Sequence, residues 1–249
     1  MGEPVWIVLP GMTMPPEDFQ ALAGRLPGCA EVFDAYAVAL TAPASAVRDW
    51  LWTRRSASRV CLVGHSAGGM TALEWLLSFP GEVERVVLLE STDPNERPSR
   101  LSPGTLGHRC VRRLLRAAGA WPWLARRLGR AGRRAFWRLF TVQPDHLPKP
   151  VIDRVWGNSA GLLAVWDQVF DRFSQEERVR TLLAAWERDG RAFSAPVLSV
   201  LSDDAEPYQQ ALAQRLGAEV AAISGGHLFP VLQPEGTADL ITGWLRTRT

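Results

Sequence analysis

Between Leu62 and Gly69 the chain reads LVGHSAGG, a serine held between a histidine and an alanine and bracketed by glycines, directly after the apolar run Val60-Cys61-Leu62-Val63. A strand that reverses into a helix this tightly has no room for side chains at Gly64 and Gly68, and the serine between them is left exposed above a sheet. That demand narrows the folds open to the chain. It requires a buried strand before Ser66, a helix after it and a sheet around both.

The flanking sequence supplies these elements. Val5 to Leu9 is an apolar run stopped by Pro10-Gly11, and residues 16–26 then show helical spacing at Phe19, Leu22 and Leu26. Val32 and Phe33 suggest a second strand, residues 46–52 a helix and residues 60–63 a third strand, wholly apolar as a parallel strand covered on both faces should be. Met70, Leu73 and Leu77 continue as a helix to Pro80-Gly81, and residues 86–89 form the next buried strand. After a long interruption the alternation resumes: strand at 196–201, helix at 207–216, strand at 220–223 and a closing helix at 235–246. The expected fold class is α/β, a doubly wound, mostly parallel sheet.

Length and charge bound the rest. At 249 residues with 47% hydrophobic content, one α/β domain with an insertion is expected: core at 1–93 and 192–249, helical lid at 94–191. The opening MGEPVWIVLPGM has no basic leader and five apolar residues before Pro10, which predicts neither a signal peptide nor a membrane span and makes a cytoplasmic location the expectation. Cys29, Cys61 and Cys110 are odd in number and widely spaced, which argues against a disulfide framework or a zinc site and for ordinary buried thiols. No metal and no cofactor is expected.

A serine hydroxyl is a weak nucleophile until a base removes its proton, and that base needs an orienting carboxylate. Of the four histidines, His65 sits inside the turn with its ring expected to point away from the serine hydroxyl, while His108 and His146 lie in the insertion. His227 follows Gly225-Gly226 after the last expected strand, at the carboxyl edge where open α/β sheets bind ligands.

With Ser66 and His227 in this order, and with GGHLFPVLQPEGTADLITGWL (residues 225–245) resembling a histidine loop and final helix, the chain is identified as resembling the α/β-hydrolase superfamily. The likeness covers about the first 93 and last 58 residues. It implies a covalent acyl-serine mechanism. It also implies an acid in the turn after the strand at 197–201, which reads Ser202-Asp203-Asp204-Ala205-Glu206. Asp204 is the first choice and Asp203 the second, although either could instead cap the following helix. Some relatives carry the acid after the preceding strand, which here nominates Glu90 or Asp93. The oxyanion hole is expected from the backbone N–H groups of Ala67 and Met12, the latter in a loop where many relatives have His-Gly and this chain has Pro10-Gly11.

The resemblance implies a serine esterase with a hydrophobic acyl or aromatic substrate, with thioesters and lactones as alternatives. Haloalkane and epoxide chemistry are disfavoured because those relatives use aspartate where Ser66 stands. A ligand-binding protein of the same fold without turnover is the alternative from another class.

The insertion is basic: from Arg97 to Pro144 there are 12 arginines and no acidic residue, so a net charge of +2 leaves −10 for the rest of the chain. Val111, Leu114, Leu115 and Ala118 share a helical face, and Leu124, Leu128, Ala131, Ala135 and Leu139 repeat the pattern after Pro122. Residues 153–173 and 176–188 suggest two further helices, with Trp156, Trp166 and Trp186 available to line a pocket. The plainest expectation is that the apolar faces pack inward while arginine faces water. The alternatives are attraction of an anionic substrate, such as an acyl group on a phosphopantetheine carrier, and docking on an anionic lipid surface. No nucleic-acid-binding motif accompanies the charge.

Overall fold

Six strands, all parallel, form one sheet in the order β2-β1-β3-β4-β5-β6. They are β1 (Val5–Leu9), β2 (Ala30–Val32), β3 (Val60–His65), β4 (Val83–Leu89), β5 (Val197–Ser202) and β6 (Glu219–Ile223). The structure is a computed structural model that describes residues 5–55, 59–95, 106–190 and 192–248. Every residue of β1, β3 and β5 is buried, the pattern of central parallel strands covered on both faces, whereas edge strand β6 is largely exposed. Helices α2 (Ala44–Trp52), α3 (Ala67–Ser78), α8 (Pro207–Arg215), the short α9 (Phe229–Leu232) and α10 (Pro234–Arg246) supply crossovers and the closing cover. The doubly wound α/β architecture read from the sequence is the one observed. The helix expected over 16–26 is reduced to a 3₁₀ turn (Pro16–Phe19) and one α-helical turn, α1 (Gln20–Ala23).

The chain divides into two compact units, Met1–Glu96 with Ser174–Thr249, and Arg97–Phe173. The expected insertion ran to 191, a position outside the described residues, yet residues after Phe173 already group with the sheet. The cause is α7 (Ser159–Arg188), one continuous helix where two were expected. Residues 174 and 175 are serine and glutamine, with neither glycine nor proline to break it. In its last turns Val179, Leu183 and Trp186 join the main core, and Arg178 forms a two-pronged pair with buried Glu74 at 2.8 and 3.1 Å. Gln175 Nε2 donates to Thr71 Oγ1 at 2.9 Å. Trp186 is thereby a core residue rather than a pocket wall.

The second unit holds α4 (Leu106–Gly119), α5 (Pro122–Phe140), α6 (Lys149–Trp156) and the first half of α7. Its centre is a cation. Arg133 is 1% exposed, donates to both oxygens of Asp145 at 2.7 and 3.0 Å and lies 4.6 Å from the Trp137 ring centroid. Trp156 is buried beside it, and Trp166 stacks on His108, so these rings also serve packing. The apolar stripe of α5 does not pack inward as expected. Leu128, Ala131, Ala135 and Leu139 are exposed, while Ala125, Gly129, Arg133 and Trp137 are the buried face. Asp145 has chosen which side of the helix turns in, because a buried guanidinium must keep its carboxylate. The thiols also depart from expectation: Cys61 is buried and held up to about 11 by burial, but Cys29 and Cys110 are exposed.

Removing the partner of a buried charge is costly, so Asp145→Asn is expected to destabilise this unit by about 3 kcal/mol. Chemical unfolding followed by circular dichroism checks this, and an unchanged midpoint would refute it.

Candidate active site

Ser66 sits between the last residue of β3 and the first of α3, with φ 52° and ψ −120°. A non-glycine residue in this region stores about 1–3 kcal/mol of strain, which persists only where the surroundings enforce it. They do. A Cβ at Gly64 would lie 2.6 Å from the carbonyl oxygen of Gly68, and one at Gly68 would lie 2.2 Å from that of Leu9. The glycines therefore let the first turn of α3 lie against both its own strand and the loop leaving β1. That contact brings the start of α3, where Ala67 stands, against Leu9 and Pro10 at the head of the loop that carries Met12. Ala67 opens α3, so its N–H has no partner within the helix, and among the described residues no backbone acceptor takes it or the N–H of Met12.

Adjacent strands carry the next group. The β3–β4 register sets His65 beside Leu89, and Ser66 N–H donates to the Leu89 carbonyl at 3.0 Å, so Glu90 follows at the same sheet edge. Glu90 has φ 44° and is 2% exposed. Its Oε2 accepts from His227 Nδ1 at 2.7 Å, while Oε1 accepts from the Ser202 N–H at 3.0 Å and from the Ser202 hydroxyl. Burial opposes ionisation of this carboxyl, but the hydrogen bonds from His227 and Ser202 outweigh it and hold it below its ordinary value of 4.5.

Glu90, not Asp204 or Asp203, is thus the carboxylate against His227. Asp203 Oδ2 accepts the Gly225 N–H at 3.2 Å and so steadies the start of the histidine loop. Asp204 accepts no described hydrogen bond through its carboxylate, and only its N–H contacts Ser202 Oγ, at 3.3 Å. Asp93 caps its own turn through Asn95. The turn after β5 contributes Ser202, which holds the acid, rather than the acid itself. The sequence carried a signal for this: Glu90 directly follows the apolar run Val86-Val87-Leu88-Leu89, and a buried carboxylate must be paired.

His65 is the residue whose part the sequence left unassigned. Fully buried, its imidazole is pushed down to about 3 by burial, with repulsion from a protonated His227 adding to the effect. It is therefore neutral in the working range. Its Nε2 lies 2.9 Å from the His227 carbonyl oxygen, an acceptor, so Nε2 carries the proton. Among the described residues its Nδ1 finds no hydrogen-bond partner. The ring is packed 5.6 Å from Phe19 and 4.7 Å from the ring of His227. Thus His227 is held twice, by its ring through Glu90 and by its backbone through the residue that precedes Ser66.

Chemically, this edge of the sheet carries a hydroxyl on a strained backbone, an imidazole whose Nδ1–H is committed to a carboxylate, and two N–H groups that no described backbone acceptor takes. Glu90→Gln is expected to lower kcat by about 10⁴, because the amide no longer fixes the tautomer of His227. Asp203→Asn and Asp204→Asn should stay within a few fold. Equal losses in all three, measured with one ester, would remove Glu90 from its place. The depressed carboxyl also stabilises the fold above about pH 4.5 and ceases to do so as pH falls through its folded value, so the Gln variant should show a flatter acid limb in unfolding titrations. His65→Phe keeps the packing but deletes the donor. It is expected to lower kcat by about 10- to 100-fold with little change in KM, since it misplaces the base without touching substrate.

Residues 6–240 match the sequence profile of the alpha/beta hydrolase family. No curated protein matches the chain significantly. Solved structures share the fold: Cfl2 of Burkholderia cenocepacia aligns over 97% of this chain and 87% of its own, at TM-score 0.66 and 20% identity. A candidate epoxide hydrolase of Pseudomonas aeruginosa aligns over 99% and 89%, at TM-score 0.70 and 18% identity. A loop variant of the haloalkane dehalogenase DbeA from Bradyrhizobium elkanii aligns over 98% and 89%, at 0.63 and 15%. These likenesses concern the fold, and with the profile match spanning nearly the whole chain, the protein belongs to the alpha/beta hydrolase family.

Proposed function

We propose that the protein is a cofactor-independent serine hydrolase that cleaves carboxylic esters, with Ser66 as nucleophile, His227 as general base and then acid, and Glu90 as the orienting carboxylate. The observation that carries this reading is the 2.7 Å contact between His227 Nδ1 and Glu90. It leaves Nε2 as the basic nitrogen of the ring. In the first half-reaction the Ser66 oxygen adds to the ester carbonyl carbon as His227 takes its proton, and the negative oxygen is met by the N–H groups of Met12 and Ala67. The C–O bond to the alcohol then breaks, with His227 returning the proton to the leaving oxygen. Water, deprotonated by the same nitrogen, opens the acyl-serine and releases the acid.

The serine itself favours this over the chemistry named for the structural neighbours. Attack by a hydroxyl on an alkyl carbon would leave an ether, which a histidine-activated water does not open. Attack on a carbonyl leaves an ester, which it does. Thioesters and lactones pass through the same acyl-serine and are the nearest alternatives. A hydrophobic acyl or aromatic group is the proposed substrate class. A fold-sharing binding protein without turnover is disfavoured because a nucleophile, a base and a paired acid are all present.

A fluorophosphonate probe is expected to label the protein covalently, and Ser66→Ala should abolish labelling and lower kcat by about 10⁶ on a p-nitrophenyl ester. A folded protein that never labels would mean binding without turnover. Rates on esters, thioesters and lactones of graded length then assign the acyl group.

A further inference from the structure

The α4–α5 segment presents apolar side chains and cations together on its outside. Leu114 of α4 is 67% exposed, Trp121 and Trp123 at the start of α5 are 61% and 58% exposed, and Leu139 near its end is 78% exposed. The last belongs to the helical stripe of Leu124, Leu128, Ala131 and Ala135, which the burial of Arg133 has turned outward. On the same helix Arg127, Arg134 and Arg138 are exposed and run alongside that stripe at helical spacing. Of the 12 arginines between Arg97 and Pro144, Arg97 and Arg100 lie outside the described residues, and Arg112, Arg130 and Arg133 are taken by Asp167, Asp153 and Asp145. The remaining seven form no salt bridge among the described residues.

We infer that the outer face of α4 and α5 docks on an anionic lipid surface. A helix that is low in overall hydrophobicity, with leucine and alanine along one side, arginine along the flank and two exposed tryptophans at its N-terminal end, is matched to the boundary between headgroups and acyl chains. There the indole rings sit at headgroup level, and guanidinium groups pair with phosphate while their stems lie on apolar chain. No helix among the described residues is long and apolar enough to cross a membrane, so the contact is one of lying on the surface. A second copy of the chain fits poorly, since it would oppose like charges. An acidic carrier protein would answer the charge but leave the exposed indoles and leucines without an apolar medium. The inference is independent of the triad assignment.

Flotation of the full chain with vesicles tests it. Binding to equimolar phosphatidylcholine and phosphatidylglycerol should exceed binding to pure phosphatidylcholine by at least about tenfold, and should weaken with added salt. Replacing Arg126, Arg127, Arg134 and Arg138 together by glutamine should reduce binding by on the order of 100-fold, and Trp121→Ser with Trp123→Ser by about tenfold. Both variants should keep the native circular dichroism spectrum and unchanged hydrolysis of a soluble ester. Equal binding to neutral and anionic vesicles, or undiminished binding by the arginine variant, would overturn the inference. So would retention on an acidic acyl carrier protein without vesicle binding, or a dimer lost in the tryptophan variant without vesicle binding.

Discussion

A carboxylate buried at the end of a parallel strand remains ionised only where donors surround it, and the carboxyl edge of this sheet is arranged around that requirement. Glu90 receives the N–H and hydroxyl of Ser202 on one oxygen and the Nδ1–H of His227 on the other. These donors come from the end of β5 and from the loop after β6. One side chain therefore ties together three segments that are distant in sequence. In doing so it fixes which nitrogen of His227 carries the proton.

Ser66 and this carboxylate share a second property. Ser66 and Glu90 both have positive φ, at the ends of neighbouring strands β3 and β4. Each backbone turns abruptly as it leaves the sheet, and each turn is maintained by contacts around it: close approach at Gly64 and Gly68 for the serine, hydrogen bonds for the glutamate. His65 extends the same logic to His227, gripping its backbone from the residue next to Ser66. The geometry of the edge is thus set by rigid strand ends rather than by long loops, which is where precise positioning is easiest to hold.

In the second unit one ion pair governs the arrangement. Because Arg133 is buried against Asp145 and Trp137, the face of α5 that carries it points inward and the more apolar stripe points outward. A helix with two apolar-capable faces cannot bury both, and the face that offers a paired cation stacked on an indole has prevailed. The exposed tryptophans and unneutralised arginines are the result.

Local pattern was enough to read the alternation of strands and helices, the elbow at Ser66 and the loop of His227, because apolar runs, glycine brackets and helical periods are properties of neighbouring residues. Which carboxylate meets His227 was not legible, since Asp203, Asp204, Glu90 and Asp93 all stand near strand ends, and only the hydrogen bond between His227 Nδ1 and Glu90 in the folded chain separates them. The continuity of α7, the core role of Trp186 and the outward stripe of α5 were likewise decided in three dimensions. Periodicity names the faces of a helix, but the partners supplied by the rest of the fold determine which face is covered.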